Sequence, residues 1–272
     1  MKCAEVIGIL NELAPEQIAC SWDNVGLLAG RNDKEIQEIL LCLDVTDAVV
    51  EQAVTEGADM IVSHHPLLFR PLKRINNESM TGRRLLQLIQ GDVACYAMHT
   101  SFDCAEKGMA YAAANLLQLQ NQQILDEVFS YENAEGGCAQ GGIGRIGELP
   151  KPVTVKELLD TVKRVFQTGA LLVYGADLQK QVSRVAISPG SGKDQVEAAL
   201  HAQAQVLLTG DISHHIGLDA KEQGLILVDA GHYNLEHIFS EYVAEYLREK
   251  LPENVKISVF SENRPYIIYE SV

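Results

Sequence analysis

No apolar run in this chain approaches the ~20 residues that a membrane-spanning helix requires. The first residues, Met1-Lys2-Cys3-Ala4-Glu5-Val6, lack the apolar stretch and cleavage site of a secretory leader. Basic charge is scarce: 22 Lys and Arg stand against 37 Asp and Glu, a formal net charge of −15. A general nucleic-acid binder needs a basic face, and so does a protein that adheres to anionic lipid. Both classes are therefore disfavoured. There is no C-x-x-C among the six cysteines (Cys3, Cys20, Cys42, Cys95, Cys104 and Cys138). That argues against a zinc knuckle or a disulfide framework. Several lie in apolar runs, which reads as buried thiols in a reducing cytoplasm. Tryptophan occurs once, at Trp22.

What the chain does have is a core. Hydrophobic residues make up 47% of its 272 positions, enough for one large or two ordinary domains. Val6, Ile9, Leu10 and Leu13 share one face of a first helix. Ser21-Trp22-Asp23-Asn24-Val25-Gly26 follows, read as a capped turn with an aromatic plug. Strands are expected at 27–29 and 39–43, a helix at 47–56 closed by Gly57, and a buried strand at Met60 to Val62. This strand–helix–strand order implies a parallel sheet with a right-handed crossover. After the basic loop from Leu67 to Thr81, a helix to Gln90 leads to a strand at 93–98, and a helix is expected from Glu106 to Leu117.

The stretch from about 120 to 145 reads as a boundary, Gln-rich at first, with the Gly-rich segment from Gly136 to Gly142 as a mobile loop before a strand at 143–149. A helix at 153–166 and a strand at 170–174 follow. Val185-Ala186-Ile187-Ser188, Glu197-Ala198-Ala199 and Ala204-Gln205-Val206-Leu207-Leu208 then echo Leu41 to Asp44, Glu51 to Ala53 and Ala58 to Val62. In this internal repeat His64-His65 falls on Gly210-Asp211. Pro189 to Lys193 is a strand-to-helix turn whose N–H groups could hold an anion, but it is not a Walker loop. A strand at 225–228, a helix from His232 to Leu251 and strands near 255–260 and 266–269 close the chain.

Candidate chemistry gathers at three junctions that follow strands: Ser63-His64-His65-Pro66, His99-x-x-x-Asp103 and His232-x-x-x-Glu236. Each alone has a structural explanation, as a cap, a local hydrogen bond or a surface charge. Their recurrence at the carboxyl ends of strands, where α/β folds place ligands, points to a shared site. Adjacent residues on an extended chain face opposite ways. His64 and His65 would then serve two different ions unless the chain bends. Nitrogen and oxygen donors without thiolate suit zinc, iron, manganese, cobalt or nickel. Glu236 could bridge two such ions.

These motifs, with Ser21-Trp22-Asp23-Asn24-Val25-Gly26-Leu27 and Leu208-Thr209-Gly210-Asp211, resemble the GTP cyclohydrolase I type 2 homologue, or Nif-three-like, family over essentially the whole chain. The resemblance implies two related α/β domains with mixed, largely parallel sheets. It implies two divalent transition metal ions per chain, held by His64, His65, Asp103, His232 and Glu236, with His99 close by. It also implies a homo-oligomer, a hexamer, with its sites facing an internal cavity. The expected division is 1–125 plus 225–272 as the metal-binding domain and 126–224 as the repeat-related one. Some relatives carry a domain inserted mid-chain, for which the segment near 120–145 leaves no room.

Three functions follow. The first is a metal-dependent hydrolase acting on a nucleotide or related heterocycle, with His99, His214 or His215 moving the proton and Trp22, Asn24 or Phe102 near the base. The second is a metal-binding, delivery or regulatory protein without turnover. The third is a two-metal phosphoesterase, with Arg70, Lys73 or Lys193 on the phosphate.

Overall fold

A computed structural model describes residues 1–134, 136–261 and 264–269. The chain divides into two compact units. The first comprises 1–105, 132–138 and 239–262, and the second 106–131, 139–238 and 263–272.

In the first unit, α1 (Cys3–Leu13) precedes β1 (Gly26–Ala29), β2 (Glu38–Cys42), α2 (Asp47–Glu56), β3 (Met60–Ser63), α3 (Met80–Gln90), β4 (Ala94–Ala97) and a short helix α4 (His99–Cys104). The Thr46 hydroxyl accepts from the Val49 N–H and caps α2. Gly57, at φ +80°, ends it in the left-handed region that glycine adopts without strain. Ser79 caps α3 in the same way, through the N–H of Gly82. Sheet order is β1-β4-β3-β2-β11, where β11 is Lys256–Val259. The strands from β4 to β11 pair in parallel and β1 pairs antiparallel. Every residue of β3 and β4 is buried, as expected of central strands covered on both faces. One layer of the core joins Leu40, Ile61 and Cys95 to Val49, Val50 and Ala53 of α2 and Leu88 of α3.

The second unit holds α5 (Met109–Leu116), β5 (Gln120–Glu132), β6 (Cys138–Thr154), α6 (Val155–Val165), β7 (Leu172–Tyr174), β8 (Gln181–Ser191), α7 (Val196–His201), β9 (Val206–Gly210), α8 (His214–Glu222), β10 (Ile226–Asp229) and α9 (His232–Glu236). Helix α10 (Ile238–Lys250) continues the chain into the first unit. Sheet order is β5-β6-β8-β9-β10-β7, with β8, β9 and β10 parallel. Thr154 and Glu157 form a reciprocal capping box at the start of α6.

The internal repeat is visible in the pairing. Ile39 faces Met60 and Val185 faces Val206, at equal separations along the chain. Ile39, not Leu41, is thus the counterpart of Val185.

Several expectations need correction. The mobile loop expected at 136–142 is mostly strand: from Cys138 it belongs to β6, only Gly136-Gly137 falls in the turn before it, and the Gln-rich residues before that turn belong to β5. The domain boundaries lie after Ala105 and after Ile238, not after residue 125 and before residue 225. The reason is that β10 pairs with β9 and β7, and that Ala113 and Ala114 of α5 join the second unit's core. The helix expected from His232 to Leu251 is two helices with His237 between them. Residues 266–269 form no strand. Trp22 is not a plug but 62% exposed.

Candidate metal centre

In the first unit, β3 delivers the chain to His64 and His65, where it bends before Pro66. The N–H groups of both residues still bond back towards β2, to the carbonyls of Cys42 (3.3 Å) and Leu43 (2.9 Å). The Ser63 hydroxyl donates to the His65 carbonyl at 2.9 Å and holds the bend. The bend removes the alternation expected of an extended pair, and the two rings come within 4.9 Å, centre to centre. His64 is fully buried and packs against Phe239 at 5.2 Å. His99 enters from the next strand, at the start of α4, with its ring 5.3 Å from His64 and 5.5 Å from His65. One ring nitrogen from each of the three lies within 4.8 Å of the others. Asp103, one turn along α4, brings Oδ1 to 3.7 Å from Nε2 of His64.

Two of these imidazoles are held by carboxylates that sequence reading did not select. Nδ1 of His65 donates to Asp44 at 2.9 Å, and Nδ1 of His99 donates to Asp23 at 3.0 Å. Asp23 also accepts the Thr100 N–H at 3.0 Å and its hydroxyl at 2.6 Å. Burial opposes the charge on Asp23, but the bonds from His99 and Thr100 outweigh it and hold the carboxyl well below the usual range. An ionised carboxylate can only accept, so the proton sits on Nδ1 and the lone pair on Nε2. That is the tautomer of a metal-binding or proton-accepting imidazole fixed from behind.

The second unit presents its own pair. β10 ends at Asp229, whose two oxygens take the N–H groups of Ile212 and Gly231, each at 2.9 Å. Gly231 turns the chain at φ +84° into α9. His232 and Glu236 stand one turn apart, with Nε2 and Oε2 at 2.8 Å. Nδ1 of His232 donates to Asp211 at 2.8 Å. Asp211 is the repeat's counterpart of His65, so the position that offers an imidazole in one half steadies one in the other. Glu236 is buried, and two glycines leave room for this turn. A Cβ on Gly210 would stand 2.6 Å from the backbone nitrogen of His232, and one on Gly190 would stand 2.5 Å from the Glu236 carboxylate.

The structure thus brings His64, His65, His99 and Asp103 together in one unit, and His232 and Glu236 together in the other. His214 and His215, at the start of α8, join none of the convergent groups among the described residues. Phe102 is fully buried between Phe239 and Tyr242 and has no open face for a base. The donors on both sides are imidazole nitrogen and carboxylate oxygen, a set that fits divalent transition metals. Asp23 and Asp211 were legible as members of family-like motifs and Asp44 as the polar residue after a candidate strand, but none of them as the partner of a histidine.

A sequence model of the family described as Duf34/NIF3 (NGG1p interacting factor 3) matches residues 1–265. A Clostridium perfringens protein named GTP cyclohydrolase 1 type 2 homolog is 35% identical over 262 residues, covering 96% of this chain and 97% of that one. Among solved structures, a Bacillus cereus protein related to NIF3 superposes with a TM-score of 0.88 at 24% identity, over 99% of each chain. A Staphylococcus aureus hypothetical protein does so at 0.86 and 28%, also over 99% of each.

Proposed function

Since the chain belongs to the Duf34/NIF3 family, we propose that it is a dinuclear metal-dependent hydrolase of a nucleotide or related heterocycle. The observation that carries this reading is the convergence of His64, His65 and His99, with two of the three rings locked by aspartates into a donor tautomer. In this reading the residues that would hold metal are His64, His65, Asp103, His232 and Glu236, the set that the family resemblance implies. Ions of this class, held by these residues, would lower the pKa of water towards neutrality and supply Lewis acidity at the group under attack. His99, backed by Asp23, accepts the proton at Nε2 and returns it to the leaving group. Asp44 and Asp211 keep His65 and His232 from rotating out of position.

A second reading, metal holding or delivery without turnover, draws on the exposure of His232, which leaves a third of its side chain open to solvent. An open ligand suits exchange as well as catalysis. The test is the metal-loaded protein with GTP, other nucleotides and simple phosphate esters, following formate and phosphate separately. Formate supports ring opening and phosphate a phosphoesterase. No release of either, with ready metal loss to a chelator, selects the second reading.

The assembly expected is a hexamer, for which the family resemblance is the support; light scattering at micromolar protein that reports only monomer rules it out. A cytoplasmic location agrees with six cysteines outside disulfides and with the lack, among the described residues, of any helix long and apolar enough to cross a membrane.

A further inference from the structure

Close to His99, within the first unit, lies a cavity of about 570 Å³. That is the size of a site for a small organic ligand. Trp22, Asn24, Phe69, Arg70, Leu72 and Ile75 form much of its wall. Its two aromatic rings are open to solvent: Trp22 is 62% and Phe69 49% exposed. They meet edge to face, 6.1 Å apart and inclined at 68°. A flat ring stacked on one therefore has its edge against the other. Asn24 fixes this corner by donating from Nδ2 to the Leu68 carbonyl, which ties the two loops together. Both rings also touch the metal side of the unit, since Trp22 lies 6.1 Å and Phe69 6.2 Å from the ring of His99.

Charge supplies the second half of the argument. Among the described residues, only Asp23 and Arg70 bring charged side chains to the wall, and the Asp23 side chain is closed off from solvent by His99 and Thr100. Arg70 sets the sign. Lys73 and Arg74 follow it on the same exposed loop, in a chain whose net charge is −15. Among the described residues, none of the three has a carboxylate within ion-pair distance. Cations without partners beside open aromatic faces select a flat heterocycle that carries an anionic arm.

We propose that this cavity binds a nucleoside phosphate, with the base in the Trp22–Phe69 corner facing His99 and the phosphate on Arg70. The proposal rests on the hydrolase reading only for the fate of the bound base; binding itself needs no metal.

Trp22, the sole tryptophan, reports on its own pocket. The full-length protein as purified is titrated with GTP, GMP, guanosine and tripolyphosphate while its emission is followed. GTP and GMP are expected to quench it saturably, guanosine to do so more weakly, and tripolyphosphate to leave it unchanged. Arg70→Ala should weaken GMP roughly tenfold and leave guanosine as it was. Phe69→Ala should weaken both, and Trp22→Ala, read by calorimetry, should abolish the base's contribution. Elemental analysis of each variant separates this inference from the metal reading. Nucleotide binding lost at unchanged metal content supports the pocket. No quenching or heat from any nucleotide at millimolar concentration, with metal present, overturns it and leaves the metal reading standing. So does emission that responds to protein concentration and not to nucleotide, which would make the aromatic corner a contact between copies. Quenching in a protein that takes up no metal supports the pocket and removes the hydrolase reading.

Discussion

Gly190 is the space that Glu236 occupies: a Cβ at residue 190 would stand 2.5 Å from that carboxylate oxygen. The glycine also sits at φ +76°, where any other residue is strained. Gly190→Ala should displace Glu236, lower the metal content and destabilise the fold by about 2 kcal/mol or more. Elemental analysis and a thermal melt read the two effects. Normal metal content in this variant would argue against Glu236 as a metal ligand.

Gly57 is the control. It has nearly the same φ, +80°, but nothing lies within 4 Å of where its Cβ would be. Gly57→Ala should cost about 1–2 kcal/mol through backbone strain alone. Its melting temperature should fall while its metal content stays at the wild-type level. A matching loss of metal would mean that both glycines act through global stability.

The aspartates behind the histidines predict a graded effect on affinity. In Asp44→Asn or Asp211→Asn the partner of His65 or His232 keeps its size but no longer dictates the tautomer. Metal affinity should drop about 10–100-fold, with the fold intact. Competition against a chromophoric chelator measures it, and an affinity within twofold of wild type would contradict the role.

Stability should also depend on alkaline pH. Burial pushes the Cys95 thiol up to about 12, and burial with Glu16 beside it raises the Tyr96 phenol further still. In the unfolded chain these groups ionise near about 8.5 and 10. Their raised folded values make the neutral forms part of the native state. That contribution is complete below about pH 8.5 and fades as pH climbs through the folded values. The urea midpoint should therefore fall from pH 8.5 to 10.5, on the order of 1 kcal/mol per pH unit in stability at the upper end. Cys95→Ala should flatten the lower part of the slope. A midpoint unchanged over this range would be incompatible with buried neutral groups.

Much of the architecture was legible because the central strands of both sheets are uninterrupted apolar runs. Met60 to Val62 and Val206 to Leu208 announce themselves, and polar residues straight after them mark strand ends. The hairpin of β5 and β6 was not legible. Its Gln- and Gly-rich sequence lacks the apolar alternation of a half-buried strand, and its pairing rests on backbone bonds that composition does not reveal. Trp22 misled for a related reason, since a lone tryptophan is more often buried than open. The candidate ligands could be named from their junctions, but the aspartates could not, because only tertiary contact selects Asp44 for His65 or Asp23 for His99. Gly190 reads as a turn residue and Gly210 as the repeat's counterpart of His64, and their steric role appears only with Glu236 and the backbone of His232 in place.

The first unit's sheet has an edge strand drawn from far along the chain: Lys256 bonds to Glu38, 218 positions away. On the ribosome, all six strands of the second sheet have been made by Asp229, while the first sheet still lacks β11. The N-terminal half of the sequence is thus the last to finish its sheet. Until Lys256–Val259 is synthesised, β2 presents an unpaired edge to whatever nascent chain is nearby. Truncation or stalling before residue 256 would therefore leave a product open to edge-to-edge pairing between chains.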